Sequence, residues 1–281
     1  MNRIKAVIWV LIGYSFSVLN NVIVKYLVNI PTNEITSFRM LFSLLLLLPF
    51  TINKKKLLYS KCPKLHFLRG IFFFIGITLW GIGVKGSLLA TSSVIGLSEP
   101  FFVLIFSILI LNEKVGLQRF FAIFLCFLSI LSMIDFSEFS INSSSFFLLL
   151  GTSFVALYQI LNKKCANIDN KITSLIYYNF FGFLISCPLL FYNFVVPTFR
   201  ELTTLIILGL SADLLLFSLL KGYSLAEASF LSPLKYSEFG YSVIFGYIFF
   251  NEIPIFKSLI VMLIIILTNT ILYFYEHLKK K

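Results

Sequence analysis

Charged residues are scarce in this sequence. Asp, Glu, Lys and Arg make up only 12% of the 281 residues, whereas soluble domains carry roughly 25%. Too few ionised side chains remain to cover a water-facing surface, and 59% of the residues are hydrophobic. The shortage argues against an ordinary soluble protein and predicts that lipid is the solvent for most of the chain.

Motifs for nucleotide hydrolysis, metal binding and covalent catalysis are also missing. No GxxxxGK[ST] loop occurs, which argues against ATP-driven transport by this chain. The four cysteines form no CxxC pair and no metal-ligand spacing, so we interpret them as reduced packing residues. His66 and His277 are far apart along the chain, and we expect them at membrane interfaces. We therefore predict no catalytic residue, no metal site and no cofactor.

The basic residues report membrane topology. A net charge of +11 would suggest nucleic acid as the partner of a soluble protein, but here Lys and Arg cluster between apolar runs. With the N-terminus in the cytoplasm, the opposite side holds only Lys85, Arg200 and Lys257 outside the spans. This asymmetry predicts an even number of spans, both termini in the cytoplasm and no nucleic-acid partner.

Long apolar runs give the number of spans. A helix needs about 20 predominantly apolar residues to cross the hydrocarbon core. Continuous apolarity, without amphipathic periodicity, marks these runs as spans, including the first, which is longer than a signal-peptide core. We predict an all-α integral membrane fold with ten transmembrane helices, at about residues 6–27, 35–52, 66–84, 88–111, 117–134, 144–162, 172–194, 201–220, 226–250 and 254–275.

The sequence contains an internal repeat. Residues 84–90 resemble residues 220–226, and further along Ser98-Glu99 matches Ser237-Glu238 and Asn112-Glu113 matches Asn251-Glu252. The repeat predicts two five-helix domains, at residues 1–134 and 144–281. Because five is odd, the second copy enters the membrane from the opposite side. Such a 5+5 inverted repeat is typical of secondary carriers, in which a central site opens alternately to each side.

Two acidic residues occupy matching positions in the repeat. Glu99 and Glu238 each lie near the middle of a predicted span, where a carboxylate is costly and indicates function. Lys235 lies one helical turn before Glu238, so it either neutralises that carboxylate or holds a substrate carboxylate. For each glutamate, neutralisation by Lys235, by Arg39 or by a helix end is the alternative to a functional role.

Further candidates accompany these charges. Pro100 and Pro233 interrupt the two spans, and broken helices at corresponding positions indicate a binding site. Asp213 lies within the eighth predicted span, paired either with a basic neighbour or with a transported solute. Trp80 and Tyr236 are candidates for stacking on a cation or a flat ring; packing is the alternative for each.

The chain resembles a known transporter family. The span count, the repeat and the segment from Pro100 to Glu113 resemble the drug/metabolite transporter superfamily, EamA type, over essentially the whole chain. A narrower resemblance, to S-adenosylmethionine uptake carriers of obligate intracellular bacteria, rests on Leu68-Arg69-Gly70, Leu216–Lys221, Pro233–Glu238 and Phe250–Pro254. One departure is that Phe239 stands where the general family often has the second-half equivalent of Pro100.

The resemblance implies a function. It implies a multi-pass carrier in the bacterial inner membrane that takes up S-adenosylmethionine by alternating access, in exchange for a product such as S-adenosylhomocysteine. Glu99 or Glu238 would then face the positive groups of the solute, Lys235 its carboxylate, and Trp80 or Tyr236 its adenine ring. An exporter of amino acids or other metabolites is the alternative within transport, and an integral-membrane transferase is the alternative from another class. The sequence leaves the oligomeric state open.

Overall fold

The fold is known from a computed structural model, which describes residues 2–52, 54–85, 95–132, 143–190, 194–251 and 256–278. Every regular element in these ranges is a helix. Two of them are 3-10 helices, at Lys55–Leu58 and Ser232–Tyr236. The α-helices are α1 Asn2–Lys25, α2 Thr32–Leu47, α3 Pro49–Ile52, α4 Pro63–Lys85, α5 Glu99–Leu111, α6 Leu117–Leu131, α7 Ser143–Ile168, α8 Lys171–Leu190, α9 Phe199–Leu225, α10 Ala228–Leu231, α11 Ser237–Phe250 and α12 Phe256–Leu278.

Several of these helices have the length and composition of membrane spans. The described residues include four long apolar segments, at Arg3–Lys25, Thr32–Ile52, Ser144–Ile168 and Phe199–Leu225. Shorter apolar helices occur at Glu99–Leu111, Leu117–Leu131 and Leu259–Tyr275. The prediction of an all-α membrane protein is therefore confirmed, while the count of ten spans stays a prediction.

One compact unit consists of residues 1–74 and 161–225. In it, α1 packs along α9, and α2 packs against both α8 and α9. Glycines let α1 and α9 approach closely: a Cβ atom added at Gly222 would lie 2.3 Å from Cγ2 of Val10. Small residues at helix contacts are a common device in membranes, where packing rather than the hydrophobic effect joins helices.

The second compact unit consists of residues 75–160 and 226–281. In it, the C-terminal part of α4 packs on α7 through glycines of both helices. A Cβ atom at Gly151 would lie 2.8 Å from the backbone nitrogen of Trp80 and 2.9 Å from the carbonyl oxygen of Gly76. Backbone atoms cannot move aside as a side chain can, so this contact requires glycine.

Helix breaks lie before Glu99 and Glu238, the matching glutamates of the repeat. Leu97 and Ser98 form a turn before α5, and Pro100 lies in the first turn of α5, where it displaces no helical hydrogen bond. Pro233 lies in the 3-10 helix between α10 and α11. Glu99 and Glu238 are therefore first-turn residues of α5 and α11, and their position near the middle of a membrane span stays a prediction.

The same two helices also end alike. Asn112 after α5 and Asn251 after α11 both adopt the left-handed conformation, with φ of 53° and 55°. Asparagine is among the few residues other than glycine that visit this region readily, which explains its place at both helix ends. The repeat segment at residues 86–90 and Glu252 lie outside the described residues.

Candidate functional site

The candidate site joins Glu99, Lys235 and Glu238. The Lys235 ammonium donates a hydrogen bond to Oε1 of Glu238 at 3.0 Å, and the same nitrogen lies 3.5 Å from Oε2 of Glu99. One lysine therefore contacts two carboxylates that arise from different helices. Lys235 was among the predicted alternative partners of both glutamates, and the structure brings it into contact with both.

Glu99 also has a neutral partner. Its Oε1 accepts a hydrogen bond from Nε2 of Gln159, at 2.6 Å. A buried carboxylate is tolerated only when its oxygens are paired and hydrogen-bonded, and here both oxygens are occupied. Gln159 was missed by the sequence analysis, although a glutamine inside an apolar run was a signal for it.

Helix geometry favours negative charge at this site. Glu99 and Glu238 lie in the first turns of α5 and α11, the helix end at which the helix dipole favours negative charge. Lys235 and Glu238 keep 24% and 19% of their side chains exposed, against 9% for Glu99. The site is thus mostly buried, and Lys235 has the largest exposed fraction of the three side chains.

The predicted aromatic residues take supporting positions. Tyr236 has no exposed surface and donates a hydrogen bond to the carbonyl oxygen of Leu97 at 3.1 Å. It therefore fixes the turn before Glu99 and does not present its ring to a solute in this structure. Trp80 packs so closely on Gly96 that a Cβ atom there would lie 2.7 Å from the indole ring. It supports the segment that leads to Glu99.

A second network holds the break before α11. Glu113 accepts hydrogen bonds from the backbone nitrogens of Ala228 at 2.8 Å and Ser229 at 2.9 Å, the first residues of α10. Arg119 donates to the hydroxyl oxygen of Ser229 at 2.5 Å and pairs with Glu227. Glu113, which follows the end of α5, thus satisfies backbone N–H groups at the start of a different helix, α10.

Asp213 belongs to the other compact unit. Its Oδ1 accepts a hydrogen bond from Nδ2 of Asn179 at 2.7 Å, and Arg39 is a basic neighbour close enough to interact electrostatically with its carboxylate. On the same helix as Asn179, Tyr178 lies 3.4 Å from the Arg39 guanidinium. These groups form a buried polar layer in α2, α8 and α9.

Metal-ligand side chains come together at one end of α4 and α7. Cys62, His66 and Cys165 have ligand atoms within 4.8 Å of one another, and Asp169 contacts Cys62 and His66. Burial, and then the hydrogen bond to Asp169, raises the pKa of Cys62 to about 12. Burial opposes ionisation of Asp169, but hydrogen bonds from Ser60 and the Lys61 amide outweigh it and lower the pKa of Asp169.

This cluster corrects the expectation from the cysteine spacing. Cys62 and Cys165 are far apart along the chain, yet the fold brings them together, and His66 is buried rather than interfacial. A signal existed, because Cys62 with His66 and Cys165 with Asp169 are both spaced one helical turn apart.

The fold and the site together define an all-α integral membrane protein with paired charges buried at helix breaks, which is an arrangement found in solute carriers. Residues 4–134 match the EamA-like transporter family. Over 98% of its length, the chain is 31% identical to the S-adenosylmethionine uptake transporter of Rickettsia prowazekii (strain Madrid E), of which it covers 94%. The chain belongs to the EamA-like transporter family.

Two further relationships agree with this assignment. The chain is 33% identical to the S-adenosylmethionine uptake transporter of Rickettsia bellii (strain RML369-C), over 96% of this chain and 94% of that protein. A solved crystal structure superposes with a TM-score of 0.78 at 12% identity, covering 95% of this chain and 94% of the other. At that identity the structural likeness establishes the fold alone.

Proposed function

We propose that the protein is a secondary carrier that takes up S-adenosylmethionine across the bacterial inner membrane by alternating access. The observation that carries the proposal is near-full-length similarity to two uptake transporters of this solute. The charged groups at Glu99, Lys235 and Glu238 support it, because their chemistry suits this solute. Exchange for S-adenosylhomocysteine is part of the proposal.

Charge complementarity is the physical argument for the solute. S-adenosylmethionine carries a sulfonium, an ammonium and a carboxylate, so it has one net positive charge. The site carries two carboxylates and one ammonium, so it has one net negative charge. Glu99 and Glu238 would face the two cationic groups and Lys235 the carboxylate. Trp80 remains a proposed contact for the adenine ring, whereas Tyr236 would act by holding the Glu99 turn.

The proposed architecture is a 5+5 inverted repeat of ten helices, with domains at residues 1–134 and 144–281 and both termini in the cytoplasm. It is supported by the equivalent first-turn glutamates of α5 and α11 and by their equivalent left-handed asparagines. Asp213 is a proposed site residue on weaker grounds, because an amide already satisfies one of its oxygens.

Uptake of labelled S-adenosylmethionine by cells that express the protein tests this proposal. We expect uptake above that of empty-vector cells, with competition by unlabelled S-adenosylmethionine and S-adenosylhomocysteine but not by methionine. Competition by methionine equal to that of the adenosyl compound would contradict the proposed solute. Efflux without uptake, in vesicles of known orientation, would favour the exporter alternative.

A further inference from the structure

The cluster of Cys62, His66, Cys165 and Asp169 shares no residue with the proposed solute site. We propose that these four side chains bind one Zn²⁺ ion in a closed tetrahedral site that has a structural role. Four protein ligands leave no open position, which is the coordination of structural rather than catalytic zinc. The inference concerns one compact unit and does not depend on which solute is carried.

Local helical geometry arranges the four ligands as two pairs. The His66 nitrogen donates to the Cys62 carbonyl oxygen at 3.2 Å, and the Asp169 nitrogen donates to the Cys165 carbonyl oxygen at 3.0 Å. Each ligand pair is thus spaced by one helical turn and lies on one face. The start of α4 supplies one pair, and the end of α7 supplies the other.

The observed separations resemble the edges of a zinc tetrahedron. With Zn–S of about 2.3 Å and Zn–N of about 2.0 Å, the sulfur and nitrogen ligands lie about 3.6 Å apart. Cys62 Sγ lies 3.8 Å from His66 Nε2. Oδ2 of Asp169 lies 2.9 Å from that nitrogen and 3.3 Å from Cys62 Sγ. The ligand atom of Cys165 lies within 4.8 Å of those of Cys62 and His66, and a bound ion would draw Cys165 and Asp169 toward each other.

Ligand type and nearby charge favour zinc. Sulfur and imidazole ligands suit Zn²⁺, whereas Mg²⁺ and Ca²⁺ prefer oxygen. Two thiolates and one carboxylate exceed the charge of the ion by one, and the fully buried guanidinium of Arg69 lies beside Cys165 to balance it. The ion, its ligands and Arg69 together then carry no net charge, which makes their joint burial possible.

Surrounding groups hold the ligands in place. Lys61 donates its backbone N–H to Oδ1 of Asp169 at 2.9 Å, which leaves Oδ2 directed at the cluster. The Tyr177 ring packs on His66 with centroids 5.2 Å apart and donates its hydroxyl to the Leu58 carbonyl oxygen at 3.0 Å. Such outer contacts orient metal ligands and strengthen binding. A bound ion would fasten the loop before α4 to the end of α7.

Metal analysis of the full-length protein, purified in detergent without a histidine tag, tests the inference. We expect about one Zn²⁺ per chain, and after chelation a Co²⁺-loaded form with thiolate-to-metal absorption and tetrahedral ligand-field bands. Wild-type protein that binds neither ion, or Co²⁺ spectra without thiolate coordination, would overturn the proposal. A Cys62–Cys165 disulfide in protein prepared under reducing conditions would also overturn it.

Variants assign the ligands. Cys165→Ser and Asp169→Asn should each weaken Zn²⁺ binding at least about tenfold. The matched control is Cys187→Ser, which removes another free thiol of the same compact unit and should keep wild-type metal content. Equal metal content in all three variants would exclude these ligands. Zinc content is measured in the absence of solute, so failure of the zinc proposal can be distinguished from failure of the proposed transport function.

Discussion

Lys235 lies 3.5 Å from a carboxylate oxygen of Glu99 while it donates to Glu238 on its own segment. The lysine thus links the first turns of two equivalent helices of the repeat. Removing any one of these three side chains leaves a mostly buried charge that is incompletely paired. The free-energy cost of that unpaired charge exceeds the net contribution of the intact ion pair. A cationic solute that enters the site can replace the ammonium as the partner of the carboxylates, and we expect recognition to depend on this competition.

Neutralising Glu238 should impair uptake without preventing insertion into the membrane. Glu238→Gln keeps the size of the side chain but removes the charge that faces the solute, and a lost charge-assisted hydrogen bond costs about 1.5–3 kcal/mol. We therefore expect apparent affinity to fall by about tenfold or more. Initial uptake rates, corrected for protein in the membrane, provide the measurement.

Glu201→Gln is the matched control for that change. The Glu201 carboxylate accepts hydrogen bonds from Thr198 of its own helical turn and from the Asn29 side chain, and it belongs to the other compact unit. Its replacement should leave uptake near the wild-type rate. Equal losses in both variants would show that the effect is general destabilisation rather than solute recognition.

Lys235 should control recognition of the solute carboxylate. The wild-type protein should bind S-adenosylmethionine about tenfold more tightly than its decarboxylated analogue. That ratio corresponds to the free energy of one charge-assisted hydrogen bond between Lys235 and the solute carboxylate. Lys235→Met should bring that ratio close to one, because the ammonium that distinguishes the two compounds is gone. Competition curves with both compounds measure the ratio. A ratio that is unchanged in the variant would place the carboxylate elsewhere.

The two left-handed asparagines should respond alike to substitution. Asn251→Gly and Asn112→Gly should be tolerated, since glycine adopts positive φ without steric conflict. Asn251→Ala and Asn112→Ala should each lower stability by about 1 kcal/mol. Thermal unfolding in detergent measures both series. An alanine at either position as stable as the glycine would contradict the cap geometry described for α5 and α11.

Close helix packing predicts a different sensitivity at two glycines of one compact unit. Gly151→Ala should destabilise by about 1–3 kcal/mol, because the new methyl group would meet backbone atoms of α4. Gly240→Ala should be tolerated, since its nearest neighbour is the flexible Met262 side chain at 3.4 Å. Midpoint temperatures of unfolding compare the two variants. A larger loss at Gly240 would contradict this packing.

The membrane fold could be predicted from the sequence because span length is set by the bilayer, and apolar runs of that length are unambiguous. The repeat likewise identified Glu99 and Glu238 as equivalent positions. Their place in first turns could not be predicted, because the break at Leu97 and Ser98 depends on how Tyr236 packs against that turn. Pro100 indicates a helix boundary but does not give its depth.

Most contacts between distant segments were beyond sequence reasoning. Lys235 was one of several candidate partners for Glu99, and only tertiary packing selects it and adds the hydrogen bond from Gln159. The same is true of Cys62 with Cys165, whose two helical-turn motifs are individually common and informative only together. In each case the sequence shows the chemical type of the side chain but does not select the residue that it contacts.

Counterflow in proteoliposomes tests the central claim most directly. Purified protein is reconstituted into liposomes that are loaded with unlabelled S-adenosylmethionine, and labelled compound is added outside. We expect transient accumulation of label, which S-adenosylhomocysteine inside also supports and which Glu238→Gln reduces when the labelled compound is well below saturation. Accumulation equal to that in protein-free liposomes, or undiminished in Glu238→Gln, would contradict a carrier that recognises its solute through the Glu99, Lys235 and Glu238 groups.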